Sequence, residues 1–429
     1  MLDRSLQPEI KTLDEFHVIA PEHLTFPNGI PVNVLNIGDK EIVRIDFIFD
    51  AGRWHQGQKL QSLFTNRMLR EGTSTMTAAE IAEKLDFYGA WLDLSVSVSH
   101  AFVTLYSLTK YLPYTLDVVE SMLKEPVFPQ KELDILVANN LQQYFIGLKK
   151  TDVLARKTFA KALYGPNHPF GMSAEEEDFR RVNPLMLKDF FEAYYHLQNC
   201  TLFVSGKVTD KYLDMLRQHF GTESFGKPQG NPKHKDFVVE TAPEKRFFIE
   251  LPEATQSSVR MGNVTLNGDD PDFLKFRVML TIFGGYFGCR LMSNIREEKG
   301  YTYGISAGIS SYPIAPMLLI AAETTPEFVE PLISEVYHEI DLLQQELVPS
   351  DELEMVRNYM IGDLCRGYES AISWADAWIY AHTLHLSDTY FTDFFLAIQD
   401  TSAEDIRTLA QRYLCKETLK EVVSGKKMS

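Results

Sequence analysis

Residues 284–311 read GGYFGCRLMSNIREEKGYTYGISAGISS, and the fold turns on how this stretch divides. Leu291, Met292 and Ile295 fall at helical spacing, Lys299 sits where a last turn favours a cation, and Gly300 follows where a helix C-terminus takes a left-handed residue. The spacing predicts a helix that ends near Gly300. From Tyr301 the period changes to two: Tyr301, Tyr303, Ile305, Ala307 and Ile309 share one face, and Thr302, Gly304, Ser306, Gly308 and Ser310 share the other. A helix therefore turns a tight corner into a strand. The corner brings a guanidinium, Arg296, and a phenol, Tyr303, to the same end of both elements, and each is a donor suited to developing negative charge. Each also has an ordinary use, the arginine against helix carbonyls and the tyrosine as half-buried strand packing.

Outward from this corner the chain repeats itself. Residues 182–207, VNPLMLKDFFEAYYHLQNCTLFVSGK, align without a gap on 401–426, TSAEDIRTLAQRYLCKETLKEVVSGK, at an offset of 219. Leu187 falls on Ile406, Phe190 on Leu409 and Tyr194 on Tyr413, while Pro129, Glu132 and Leu133 fall on Pro349, Glu352 and Leu353 at an offset of 220. A period this long exceeds any solenoid unit and indicates two similar domains in tandem, which is also what 429 residues favour. Each half opens with strand alternation (43–49 and 259–266), enters an apolar-periodic helix and returns to strands (92–109 and 302–322). Several helices and a last strand follow. The expected class is α+β: two homologous domains, each a mostly antiparallel sheet with helices packed on one side. The stretch 221–242, rich in Gly, Pro and charge, reads as the linker, giving domains 1–225 and 226–429.

With 45% hydrophobic and 24% charged residues the chain has the makeup of a soluble globular protein. A net charge of -17 argues against nucleic-acid binding, which needs a basic surface. The N-terminus lacks a basic start followed by an apolar run, and no stretch is long and apolar enough for a membrane span, so a cytoplasmic location with no membrane partner is expected. Cys200, Cys289, Cys365 and Cys415 lie far apart without paired spacing, which fits buried thiols in a reducing compartment.

The corner as a whole, with its Gly-rich turn, Arg-Leu helix, Arg-Glu-Glu-Lys-Gly run and Tyr seven residues after that Arg, resembles the second-half signature of the pitrilysin-like (M16) zinc peptidases. The resemblance extends from about residue 25 to 426, through 126–133, 168–171 and Gln256. It implies the LuxS/metallopeptidase M16-like fold in both halves. It also implies that Arg296 and Tyr303 contact the scissile peptide and stabilise its oxyanion. Gly284, Gly285 and Gly288 lack the Lys-Ser/Thr of a phosphate loop, so close helix packing or substrate approach is expected of them.

In that family the first half carries an inverted zinc motif, His-x-x-Glu-His, on the helix before a Gly-Thr pair, with the Glu acting as base toward metal-bound water. Counted back from Gly72-Thr73, the two His positions hold Leu63 and Arg67 and the Glu position holds Asn66. The last ligand, a Glu, belongs in the helix after Pro129, where the segment 135–145, ILVANNLQQYF, offers Asn139, Asn140, Gln142 and Gln143 and no carboxylate. The eleven histidines are dispersed; His382 and His385 form an H-x-x-H, His55 and His100 have no second His within a turn, and His168 matches a family loop whose histidine is not a ligand. No zinc is expected in this chain. The resemblance thus implies the non-zinc subunit of a two-chain peptidase, a heterodimer whose M16-like partner keeps His-x-x-Glu-His and holds zinc, acting on peptides. The alternatives are a proteolytically inactive structural or peptide-binding homologue and a stand-alone metallopeptidase with displaced ligands.

Overall fold

The computed structural model describes residues 13, 15–226, 236–310 and 312–428. Strands β1 (Glu22–Thr25), β2 (Pro31–Asn36), β3 (Ile42–Phe49), β4 (Trp91–Val96), β5 (Ala101–Leu108) and β6 (Cys200–Gly206) form one sheet in the order β1-β2-β6-β3-β5-β4. Strands β7 (Arg246–Glu250), β8 (Ser257–Val264), β9 (Thr302–Ser310), β10 (Met317–Thr324) and β11 (Lys420–Gly425) form a second, in the order β7-β11-β8-β10-β9. Apart from β1 the two orders match strand for strand. Both are antiparallel except for one equivalent pair, β2 with β6 and β7 with β11.

The helices repeat in the same way. The first half carries α1 (Gln61–Met68), α2 (Ala78–Phe87), α3 (Leu112–Lys124), α4 (Gln130–Gly147), α5 (Thr151–Tyr164), α6 (Glu176–Arg180), α7 (Pro184–Tyr194) and α8 (Asp210–Phe220). The second carries α9 (Phe273–Leu280), α10 (Val329–Gln345), α11 (Ser350–Gly367), α12 (Ala371–Thr383), α13 (Tyr390–Asp400) and α14 (Ala403–Tyr413). The helices α7 and α14 occupy the sequence repeat, and each starts from a capping side chain at the same repeat position: Asn183 Oδ1 accepts from Met186 N at 3.1 Å, and Ser402 Oγ from Asp405 N at 3.1 Å. Such caps stabilise a helix by about 1 kcal/mol. Pro129 and Pro349, likewise equivalent, sit at the N-caps of α4 and α11.

Sequence periodicity leads to helices on one side of each sheet; the structure covers both sides. On β3, Val43, Ile45, Phe47 and Phe49 point into the first half's own core with Leu116, Val119 and Phe220. Ile48 points the other way and, with Leu35 of β2 and Phe203 of β6, joins the core around Trp374 and Trp378 of α12. Reciprocally, Ala155, Phe159 and Leu163 of α5 bury against Met317 and Val422 of the second sheet. The two halves have exchanged a helix, because a sheet apolar on both faces needs two covers and each half provides one. The segment before β1 reinforces the exchange: Phe16 stacks on Phe395 at 5.9 Å, and Trp378 Nε1 donates to the Ile19 carbonyl at 2.8 Å. The expected linker lies partly outside the described residues, but its last part is docked, with Glu240 N donating to Tyr164 O at 3.2 Å and Ala242 N to Ala162 O at 2.8 Å. Not all thiols are buried as expected: Cys365 is exposed and Cys415 half-buried. No helix among the described residues is long and apolar enough to cross a membrane.

One buried ion pair lies at the helix exchange. Arg44 of β3 donates from Nε to Asp46 at 2.9 Å and from Nη1 to Asp376 of α12 at 2.6 Å, while Thr104 donates to Asp46 at 2.7 Å. Burial pushes the Asp46 carboxyl up, against the pull of Arg44 and Thr104. Replacing Arg44 by Leu would strand a buried carboxylate and should cost about 3–5 kcal/mol in urea denaturation. Asp376→Asn, at a side chain 63% exposed, should cost less than about 1 kcal/mol.

Candidate functional site

The helix that holds the metal motif in the resembled family is α1, fixed in place from three directions. Ser62 Oγ donates to the Ala51 carbonyl at 2.6 Å, Gln61 Nε2 to the Met186 carbonyl at 2.9 Å, and Phe64 and Met68 are fully buried. Two of the three motif positions are held by other interactions, and Leu63 lines a cavity. Asn66, fully buried, donates from Nδ2 to the Phe102 carbonyl and to the Tyr195 hydroxyl, both at 3.2 Å. Arg67 donates from Nη1 to Asn140 Oδ1 at 2.7 Å. Asn140 lies on α4, in the segment where the last family ligand belongs, and its Nδ2 in turn donates to the Leu136 carbonyl at 2.7 Å. Of these positions, Arg67 on α1 is thus bonded to the segment of α4 where the last family ligand belongs. A zinc ion does not fit this set: Leu63 has no donor atom, Arg67 brings a positive charge, and Asn66 Oδ1, a buried acceptor with no hydrogen bond, has no companion carboxylate or imidazole in the set.

The second-half corner is kept, with one change from the sequence reading. The helix before it runs on as a π-helix over Met292–Glu298, with Lys299 N donating to Asn294 O at 2.9 Å, and it ends at Gly300, whose φ of 68° is left-handed. Leu291, Met292 and Ile295 are buried as their spacing predicts. The strand alternation breaks early. Thr302 of β9 pairs with Thr324 of β10 and Ile305 with Ala322, so Tyr303 and Gly304 together face the single residue Glu323. This β-bulge turns Tyr303 off the face it was expected to share with Ile305 and Ala307. Ile305 and Ala307 are buried, whereas Tyr303 is 92% exposed. Thr302 locks the bulge, its Oγ1 donating to the Glu323 carbonyl at 2.6 Å and accepting from Gly304 N at 3.1 Å. Arg296, half-buried, lies over the Phe287 ring at 4.5 Å, a cation–π contact that orients the guanidinium. Gly284, expected at close helix packing or at substrate, does the former. It is buried, and a Cβ there would lie 2.5 Å from that of Ala307 on β9, while Gly285 and Gly288 face outward.

The histidines that look dispersed in sequence meet in space. His100 Nε2 lies 3.1 Å from Asp50 at the end of β3, the ring of His382 from α12 is 6.4 Å from that of His100, and a cavity of about 230 Å³ is lined by Asp50, His55, His100 and His385. Burial opposes ionisation of Asp50, but the hydrogen bond to His100 and the fields of His100, His55 and His382 outweigh it and hold the carboxyl below its usual range. No spacing rule could find this group, since its members come from both halves. His168 packs in a buried aromatic nest, accepting from Phe170 N at 3.1 Å and stacking on Tyr164 at 5.3 Å. Asp117, Glu120 and His219 form a further set of possible metal donors on α3 and α8, but Lys124 already holds Glu120 at 2.5 Å.

Burial lowers the pKa of His168, His196 and His382, with the charge of His100 adding to it at His382. Their folded values therefore lie below the ordinary value of about 6.5, and the unfolded chain binds protons first as pH falls. Stability is complete above that pH and is lost as pH drops below it. The urea midpoint should fall between about pH 7 and pH 5.5, and His382→Asn should flatten that fall.

Comparison with known proteins bears on both halves. Residues 35–160 match the insulinase family (peptidase family M16), and residues 181–360 match the peptidase M16 inactive domain. An uncharacterized zinc protease YmxG of Bacillus subtilis is 26% identical over 357 residues, covering 81% of this chain and 85% of its own. A non-peptidase homolog YmxG of Helicobacter pylori is 26% identical over 249 residues, covering 57% and 56%. Among solved structures, a peptidase M16 inactive domain from Pseudomonas fluorescens superposes with a TM-score of 0.85 at 21% identity, over 96% of this chain and 99% of that one. The periplasmic protease PqqL of Escherichia coli superposes with a TM-score of 0.78 at 15% identity, over 99% of this chain and 48% of its own.

Proposed function

Since this chain belongs to the M16 peptidase family, we propose that it is the zinc-free subunit of a two-chain M16 peptidase. It contributes Arg296 and Tyr303 to substrate binding and oxyanion stabilisation, and the partner is an M16-like subunit with an intact His-x-x-Glu-His that holds the zinc. Its two units are 1–225 and 226–429, it works on peptides, and its four free thiols suit a reducing compartment such as the cytoplasm.

The observation that carries this reading is the exposure of Tyr303. A tyrosine kept only for the fold would bury its ring, whereas this one is 92% exposed on the edge strand of its sheet, held outward by the bulge that Thr302 locks. The hydroxyl is free to meet a group brought by another molecule. Arg296, steadied on Phe287, supplies a charged donor on the same helix-to-strand corner. Two such donors stabilise an anion that forms on a peptide carbonyl, provided a neighbouring metal centre supplies the water. This chain has replaced its own centre with the Arg67–Asn140 bond.

A second reading, an inactive structural or peptide-binding homologue, is favoured by the match of residues 181–360 to an inactive domain. Co-expression with the zinc-bearing partner separates the two. Tyr303→Phe and Arg296→Ala should each lower kcat for peptide cleavage by the pair about 100-fold, with the melting temperature of this chain unchanged for Tyr303→Phe. Unaltered cleavage in both variants would favour the structural reading.

A further inference from the structure

A cavity of about 490 Å³ opens beside α1, lined by Arg53 and Lys59 from the loop after β3, by Arg156 and Lys157 from α5, by Leu63 and by Tyr312 of the second half. Its volume falls in the range of roughly 300–1,000 Å³ typical of ligand pockets. The charge of this lining is at odds with the rest of the molecule. The chain has 59 acidic and 42 basic side chains, yet four basic residues and no carboxylate line this cavity. Only Lys59 has an ion-pair partner among the described residues, Asp178 at 3.2 Å. Lys157 rests on the Tyr144 ring at 4.6 Å, and Arg53 and Arg156 have no ion pair among the described residues. Arg53 and Arg156 are exposed and Lys157 is half-buried; burial lowers the pKa of Lys157, with Arg156 adding to the effect against the opposing charge of Glu175. Like charges lining a concave, partly apolar place focus a positive potential outward.

We propose that this cavity is a binding site for the carboxylates of an acidic peptide segment. Guanidinium forks pair bidentately with carboxylates, and the lysines add point charges beside them. The cations come from two different elements, with Leu63, Val96 and Tyr312 as apolar wall. That arrangement suits side chains spaced along a chain better than one compact polyanion. The former metal helix thus borders a site whose chemistry is anion recognition. The inference goes beyond the pairing proposed above and holds whether or not a partner is present, so it can be tested on this chain alone.

Fluorescein-labelled hexaglutamate titrated into the full chain should bind at low salt, weaken markedly at about 0.3 M salt, and not be displaced by millimolar inorganic phosphate. The double variant Arg53→Gln/Arg156→Gln should weaken hexaglutamate about tenfold or more while its empty form melts at the same or a higher temperature, and Arg53→Lys/Arg156→Lys should keep most of the affinity. Equal binding by the Gln double variant and the unaltered chain would overturn the proposal, as would displacement of the peptide by phosphate.

Discussion

The structure depends on covering sheets that are apolar on both faces. Each half builds a sheet whose central strands are buried above and below, and the helices packed on one side leave the other in need of a partner. The chain meets the need by exchange, with α12 placing Trp374 and Trp378 over the first sheet and α5 placing Phe159 against the second. Burying side chains of this size contributes about 1.5–3 kcal/mol each, so neither half should be stable without the other's helix. The cavities that matter for function follow from this. The histidine group around Asp50 and the cationic pocket beside α1 both draw residues from the two halves.

Within that frame the two halves have diverged in what they present. In the first, the positions that converge on a metal in the resembled family have become a hydrogen-bonded strut, Arg67 to Asn140, over a buried Asn66. The strut holds α1 to α4 without any ion. In the second half, a bulge that costs ladder pairing turns a tyrosine ring out to solvent, where it gains nothing from burial. One half holds these positions together by its own hydrogen bonds, and the other presents a phenol that makes no hydrogen bond among the described residues.

Much of this was legible in the sequence because it rests on local periodicity. The repeat at 219–220 residues located α4 with α11 and α7 with α14, and the alternations located β3, β8 and β9. The loss of donors at Leu63, Asn66 and Arg67 was also readable, since residue identity alone decides whether an atom can ligate a metal. What the sequence could not show depends on which elements touch. Strict alternation places Tyr303 with Ile305, and only the pairing of β9 with β10 reveals the extra residue that reverses it. His55, His100 and His382 lie in separate segments, and only the helix exchange brings α12 to the end of β3. The bond between Arg67 and Asn140 is hidden likewise, although each residue stands in sequence where a ligand of the resembled family belongs.

The most direct test of the account is the metal content of the purified chain. After dialysis against buffer without chelator, elemental analysis should find zinc far below one ion per chain, because the α1 and α4 positions hold each other instead. Stoichiometric zinc retained by this chain alone would contradict the account, since the chain would then not be the zinc-free subunit proposed.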